Sequence, residues 1–174
     1  MDSLFGTAAP GFDDPLEMLR ACHGRITAQC TTLRKLQAHL TTHGHDSQAM
    51  QAAQAVLRYF DSAGQHHHQD EEQDLFPALR GSGNPLAAAH IERLLGEHAE
   101  LENAWRALRP LLCAIADAHV DKLDDHLVTP FIHGYARHIE FENTQLLPLA
   151  RTLLDAAELQ RIGRNMAARR GLQT

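Results

Sequence analysis

Apolar residues recur along most of this chain in alternating steps of three and four, the spacing that gathers one face of an α-helix. Asp14 and Pro15 supply an N-cap and an N1 proline. The stripe that follows, Leu19, His23, Ile26, Cys30, Leu33, Leu36 and Leu40, predicts a first helix ended by the HGHD segment at 43–46. A second opens at Asp46 or Ser47 with the stripe Val56, Phe60, Gly64, His67, Glu71 and Leu75, before Pro77 and the GSGNP turn at 81–85. Asn84 and Pro85 cap a third, which carries Leu94, His98, Leu101, Trp105, Leu108 and Leu112 and which Pro110 is expected to bend near its end. After a polar stretch at 117–126 comes a fourth, with Val128, Phe131, Tyr135, His138, Glu142, Leu146 and Leu149. A short last helix follows Asp155 and ends in RNMAARRG, a terminus expected to be solvated, with arginines that suit the negative end of the helix dipole. No segment alternates with the period of a strand. The fold class predicted is all-α: an up-down-up-down four-helix bundle over about 15–154, an N-terminal loop at 1–13 and a short C-terminal helix at about 156–170, in one domain spanning 1–174.

The stripes are not purely apolar, and composition sharpens that observation. The 174 residues include 13 histidines, about three times an ordinary share, and metal binding is the natural use of such an excess. A net charge of −6 without a dense basic stripe argues against nucleic acid as partner. No apolar run reaches the ~18 residues of a membrane span, and the first residues lack a signal-peptide pattern, so a soluble cytoplasmic protein is expected. Cys22, Cys30 and Cys113 have no CxxC spacing and fall in apolar periodic segments, as buried reduced thiols do.

Four histidines and two glutamates occupy stripe positions. His67 with Glu71, and His138 with Glu142, stand four residues apart, which leaves each pair on one helical face. A shift of 71 residues lays FDSAGQHHHQDEEQDLFPALR on FIHGYARHIEFENTQLLPLAR, pairing Phe60 with Phe131, His67 with His138, Glu71 with Glu142 and Pro77 with Pro148. His23 precedes His67 by 44 residues and His98 precedes His138 by 40, so each half is a helix with one His followed by a helix with His and Glu. Counted from the flanking prolines, all four histidines lie roughly 12–20 Å from the same end of an antiparallel bundle and can converge. Burying such a set without a metal would strand several polar groups. Four imidazoles and two carboxylates suit first-row metals, and two bridging carboxylates argue for a pair of ions, most simply iron. The overlapping pair His68 and Glu72 falls off the apolar track, so Glu71 and not Glu72 is expected at the metal. Of the flanking residues, Glu72, Glu97 and Glu140 are expected on the outer surface and His66 and His68 in solvent or behind the ligands, while a base or an extra ligand is the lesser reading for Glu102. Tyr135 is expected in the core.

These motifs, His23, HHQDEEQDLFP from His67, EHAEL around His98 and HIEFENTQLLP from His138, resemble the hemerythrin-like or HHE cation-binding family over about 15–154. The resemblance implies an oxo- or hydroxo-bridged non-haem di-iron centre with two Fe ions, Glu71 and Glu142 as bridges and His23, His67, His98 and His138 as terminal ligands. Oxygen-carrying hemerythrins use five histidines, whereas Leu94 and Glu102 stand four residues either side of His98; the four-His, two-Glu set is more similar to the branch that repairs iron centres. Ferritin-like di-iron bundles use Glu-x-x-His instead. Imidazole-rich coordination leaves less negative charge to stabilise high-valent iron, which favours reversible binding over substrate oxidation. The expected function is binding of O2 or NO for sensing, scavenging or storage; the alternatives are iron donation to damaged iron centres and a di-iron oxidase or peroxide-consuming enzyme.

Overall fold

The computed structural model describes residues 11–172, and these are helical with no strand. Helix α1 (Pro15–His43) starts where Asp14 accepts a hydrogen bond from the Glu17 amide and ends at Gly44. α2 (Ser47–Phe60) is capped by Asp46 in the same way. α5 (Pro85–Ala116) is capped by Asn84, α6 (Asp125–Phe141) by Asp124, and α8 (Ala156–Arg169) by a reciprocal Asp155–Glu158 box. Each cap satisfies amides that the first turn leaves without an intrahelical partner. α5 runs on through Pro110, whose face is exposed. Of the predicted N-terminal loop, residues 1–10 lie outside the described residues; 11–14 form a turn and a bend.

The second predicted helix is several pieces. After α2 the chain breaks at Asp61 and Ser62, where the Ser62 hydroxyl donates back to the Arg58 carbonyl, and resumes as α3 (Ala63–Asp70), a π-helical turn (Glu71–Leu75) and α4 (Phe76–Gly81). The fourth is interrupted likewise: α6, a π turn (Glu142–Leu146), then α7 (Leu147–Leu153). Each π turn begins at a stripe glutamate and closes with the amide of Phe76 or Leu147 on that glutamate's carbonyl, one residue before Pro77 or Pro148. A π turn holds one extra residue, so the buried face moves on by one. After Glu142 the core therefore takes Leu147 and Ala150, and Leu149 is only half-buried.

α1 packs on α2 and α6, and α5 packs on the same two, closing a four-helix bundle; α8 lies against α1, α3 and the first π turn. At α8 the backbone of Phe12 crosses Gly163 so closely that a Cβ there would sit 1.9 Å from the Phe12 carbonyl oxygen. The interior is two apolar clusters. One gathers Ile26–Leu40 with Phe60, Leu101–Ala116 and Val128–Ile139, the other Leu16, Leu19, Leu75–Leu79, Ile91, Leu94, Leu146 and Ile162. Between them lies a buried polar layer, supplied by α1, α3, α5, α6 and the two π turns. No helix among the described residues is long and apolar enough to cross a membrane.

Candidate metal centre

The polar layer consists of His23 from α1, His67 from α3, Glu71 from the first π turn, His98 from α5, His138 from α6 and Glu142 from the second π turn. All are at most 4 % exposed, so all six stripe residues expected at a metal converge. Their Nε2 atoms face the two carboxylates. His23 lies 3.0 Å from Glu142 and 3.8 Å from Glu71, His67 3.3 Å from Glu71, His98 3.3 Å from Glu71, and His138 3.4 Å from Glu142. Two donor sets result, His23–His67–Glu71–Glu142 and Glu71–His98–His138–Glu142, each with one atom per residue lying within 4.8 Å of the others. Both carboxylates belong to both sets.

The opposite ring nitrogens are held from behind. His98 Nδ1–H donates to Glu72 Oε1 at 2.6 Å, His138 Nδ1–H to Glu97 Oε2 at 2.9 Å and His23 Nδ1–H to Asn143 Oδ1 at 2.7 Å. A proton on Nδ1 leaves the Nε2 lone pair pointing inward, the tautomer a metal requires. The His98 and His138 Nε2 atoms stand 3.2 Å apart, where two lone pairs repel unless a proton or a cation lies between them. Around them His23 Nε2, both nitrogens of His67 and all four carboxylate oxygens are buried without hydrogen-bond partners. Buried polar atoms in that condition are destabilising, and a cation would satisfy all of them except His67 Nδ1. The residues present fit a metal.

Electrostatics agree. Burial alone would lower the His23 and His98 pKa values, but the carboxylates of Glu142 and Glu71 at His23, and of Glu71 and Glu72 at His98, outweigh it and push both up to about 10. Burial lowers His67 to about 3. Burial raises both carboxyls; at Glu71 the histidines, His67 first, outweigh it and hold the group well below the carboxylate range, whereas at Glu142 the charge of Glu71 adds to burial and the group stays raised. Without a cation the layer keeps protons where positive charge is wanted. The hydrogen bond from His138 holds Glu97 at about 2, an ionised acceptor.

Several residues differ from expectation. Glu72 and Glu97 are not simply on the outer surface: each reaches in to hold a histidine. Asn143, unremarked in the sequence, does the same for His23. A signal was present, because the 71-residue shift pairs Asn143 with Glu72, the residue after the glutamate in each π turn, and each holds a histidine of the other half. Glu102 is exposed and paired with Arg106 at 2.7 Å, away from the centre. Tyr135 is buried among Phe60 and Phe131. Cys22 and Cys30 are buried free thiols and Cys113 is half-buried. The RRG terminus is not simply solvated. Arg169 and Arg170 bind the fully buried Asp70, Arg169 also binds Asp74 at 2.7 Å, and Asn165 donates to Asp74, so α8 is tied to the segment that carries Glu71. His39 stacks on His43 and bonds Asp46. Among the described residues no metal-ligating group forms there.

Residues 14–150 match the family model for the hemerythrin HHE cation-binding domain. An uncharacterised protein of Haemophilus influenzae is 35 % identical over 159 residues, 91 % of each chain.

Proposed function

Because this chain belongs to the hemerythrin HHE cation-binding family, we propose that it holds two iron ions, bridged by Glu71 and Glu142 and capped by His23 and His67 on one side and by His98 and His138 on the other, and that it binds O2 or NO there. The observation that carries this reading is the pair of donor sets that share both carboxylates. A ferrous pair supplies electrons and open coordination positions to a diatomic ligand. The chain supplies the rest. Glu72, Glu97 and Asn143 orient three imidazoles, an arrangement whose loss typically weakens metal binding about 10–100-fold. The apolar layers on either side, with Leu19, Leu75, Leu94 and Leu146 on one face and Ile26, Phe60 and Leu101 on the other, keep bulk water from the ligands and from a bound gas. Four neutral imidazoles against two carboxylates leave little excess negative charge, which supports reversible binding over oxidation of a substrate. On this reading the chain is one domain, with α8 as a brace behind the first π turn.

Metal analysis of protein purified without added metal is expected to find close to two irons per chain, with a visible band that changes reversibly on exposure to O2 or NO. One tightly bound ion or fewer would overturn the two-ion reading. Iron lost to an acceptor protein, or turnover with peroxide, would replace gas binding by donation or by catalysis.

A further inference from the structure

The six donors of the centre are at most 4 % exposed, so a metal ion can reach them only through an opening between helices. Three clefts of the bundle differ in the charge they carry. One of about 320 Å³ between α1 and α6 is lined by Arg34 and Lys35 with no carboxylate. A smaller one of about 170 Å³ between α5 and α6 sets Arg137 beside Glu97 and Glu100. The third, about 540 Å³ between α3 and α5, is lined by Glu72, Glu102, Gln65 and Gln69 and, among the described residues, by no lysine or arginine. Of the three it is also the one whose wall includes a histidine of the centre, His98, which Glu72 holds at 2.6 Å through Nδ1. Glu102 is paired with Arg106 at 2.7 Å, but both side chains are 69 % exposed, and so exposed a pair is weak enough for the carboxylate to meet another cation.

His68 stands on the same wall. Its ring lies flat on that of His98, with centroids 4.0 Å apart and planes inclined by 17°. A stacked ring presents its face, and its in-plane lone pairs run alongside the His98 plane rather than toward an ion on His98 Nε2. His68 therefore covers the ligand without joining it. The cover is lightly held: His68 Nε2 is buried without a hydrogen-bond partner, and turning the ring out into the cleft hydrates that nitrogen in exchange for the stacking contact. We propose that this cleft is the route by which a divalent cation reaches the buried donors, with Glu72 and Glu102 drawing it in and the His68 ring as a cover that swings aside. Carboxylates along a cleft without opposing positive charge raise the local concentration of a cation and its rate of entry. The proposal rests on the metal-centre reading above, and on neither the identity nor the number of the ions.

The test measures the rate at which the metal-free full chain takes up cobalt(II), whose visible absorption intensifies when protein ligands replace water, and the rate at which a chelator removes it. His68→Ala is expected to speed both at least tenfold while the metal bound at equilibrium stays that of wild type. Glu102→Lys is expected to slow uptake about threefold or more at low ionic strength, a difference that 0.5 M salt abolishes. Lys35→Glu, on the α1–α6 cleft, is expected to leave both rates unchanged. Glu102 is exposed, so its variant keeps the proposal testable should His68→Ala not fold. Rates within twofold of wild type in His68→Ala, or in Glu102→Lys at low salt, would overturn the proposal and leave the metal-centre reading intact, and so would a rate that responded to Lys35→Glu instead. Loss of metal at equilibrium in His68→Ala would make the ring a donor rather than a cover and overturn it too. A wild type that takes up no cobalt would remove the reading beneath it.

Discussion

Stripping the metal should destabilise the bundle by an amount the buried layer allows one to calculate. In the metal-free chain a proton on His23 can be shared with Glu142, 3.0 Å away, which relieves part of the cost. His67 stays neutral with its Nε2 unpartnered, and both oxygens of Glu71 and Oε1 of Glu142 are buried without hydrogen bonds. Four such atoms at the low end of about 1 kcal/mol each leave roughly 4 kcal/mol that bound metal would recover. For a chain of this length each kcal/mol moves the midpoint by about 2–4 °C, so the metal-free protein should melt roughly 8–16 °C below the loaded one. The assay is thermal unfolding followed by circular dichroism at 222 nm, before and after dialysis against a chelator, with metal content measured on the same samples. Readdition of ferrous iron should restore the midpoint. A verified metal-free sample melting within about 3 °C of the loaded one would mean that the layer is satisfied without ions, and the argument from orphaned atoms would fail.

Chelator competition should show that Glu71→Ala loses most of the bound metal, whereas Glu72→Ala and Asn143→Ala each weaken it about 10–100-fold, because they release His98 and His23 rather than remove a donor to the metal; retention of metal by Glu71→Ala would refute the ligand assignment. Replacing both Arg169 and Arg170 by Met leaves the buried Asp70 without a counter-charge and should cost about 3–5 kcal/mol in urea unfolding; a loss under about 1 kcal/mol would show that α8 is not a brace. Metal uptake near neutral pH should release protons, since His23 and His98 are held at about 10, above the ordinary 6.5, and are protonated in the metal-free chain. Apparent affinity should therefore rise with pH up to about 10, and calorimetry in buffers of different ionisation enthalpy that detected no proton release at pH 7 would contradict the electrostatics described for the layer.

Much of this protein was legible along the chain because helix formation is local. Caps such as Asp14, Asp46, Asn84 and Asp155 act on amides two or three residues away, and the three-four stripe collects the residues that one face buries, whatever the partner helix. For the same reason His23, His67, Glu71, His98, His138 and Glu142 could be singled out by position alone, and the 71-residue repeat settled which glutamate of the EE pair faces inward. Residues off the stripe were another matter. Glu72, Glu97, Asn143 and His68 sit where a single helix would turn them outward, and only the helix packed alongside determines whether such a side chain meets water or an imidazole. The π turns belong to the same class, since the extra residue depends on seating the glutamate in the centre and Leu75 with Phe76, or Leu146 with Leu147, in the apolar cluster beside it at once. Arg169 and Arg170 read as a solvated terminus until α8 lies across α3, because a pairing with Asp70 about a hundred residues away has no local signature. Periodicity in the sequence determined which residues point to the centre of the bundle; what stands behind each of them depends on the separation and rotation of neighbouring helices, which the tertiary structure alone decided.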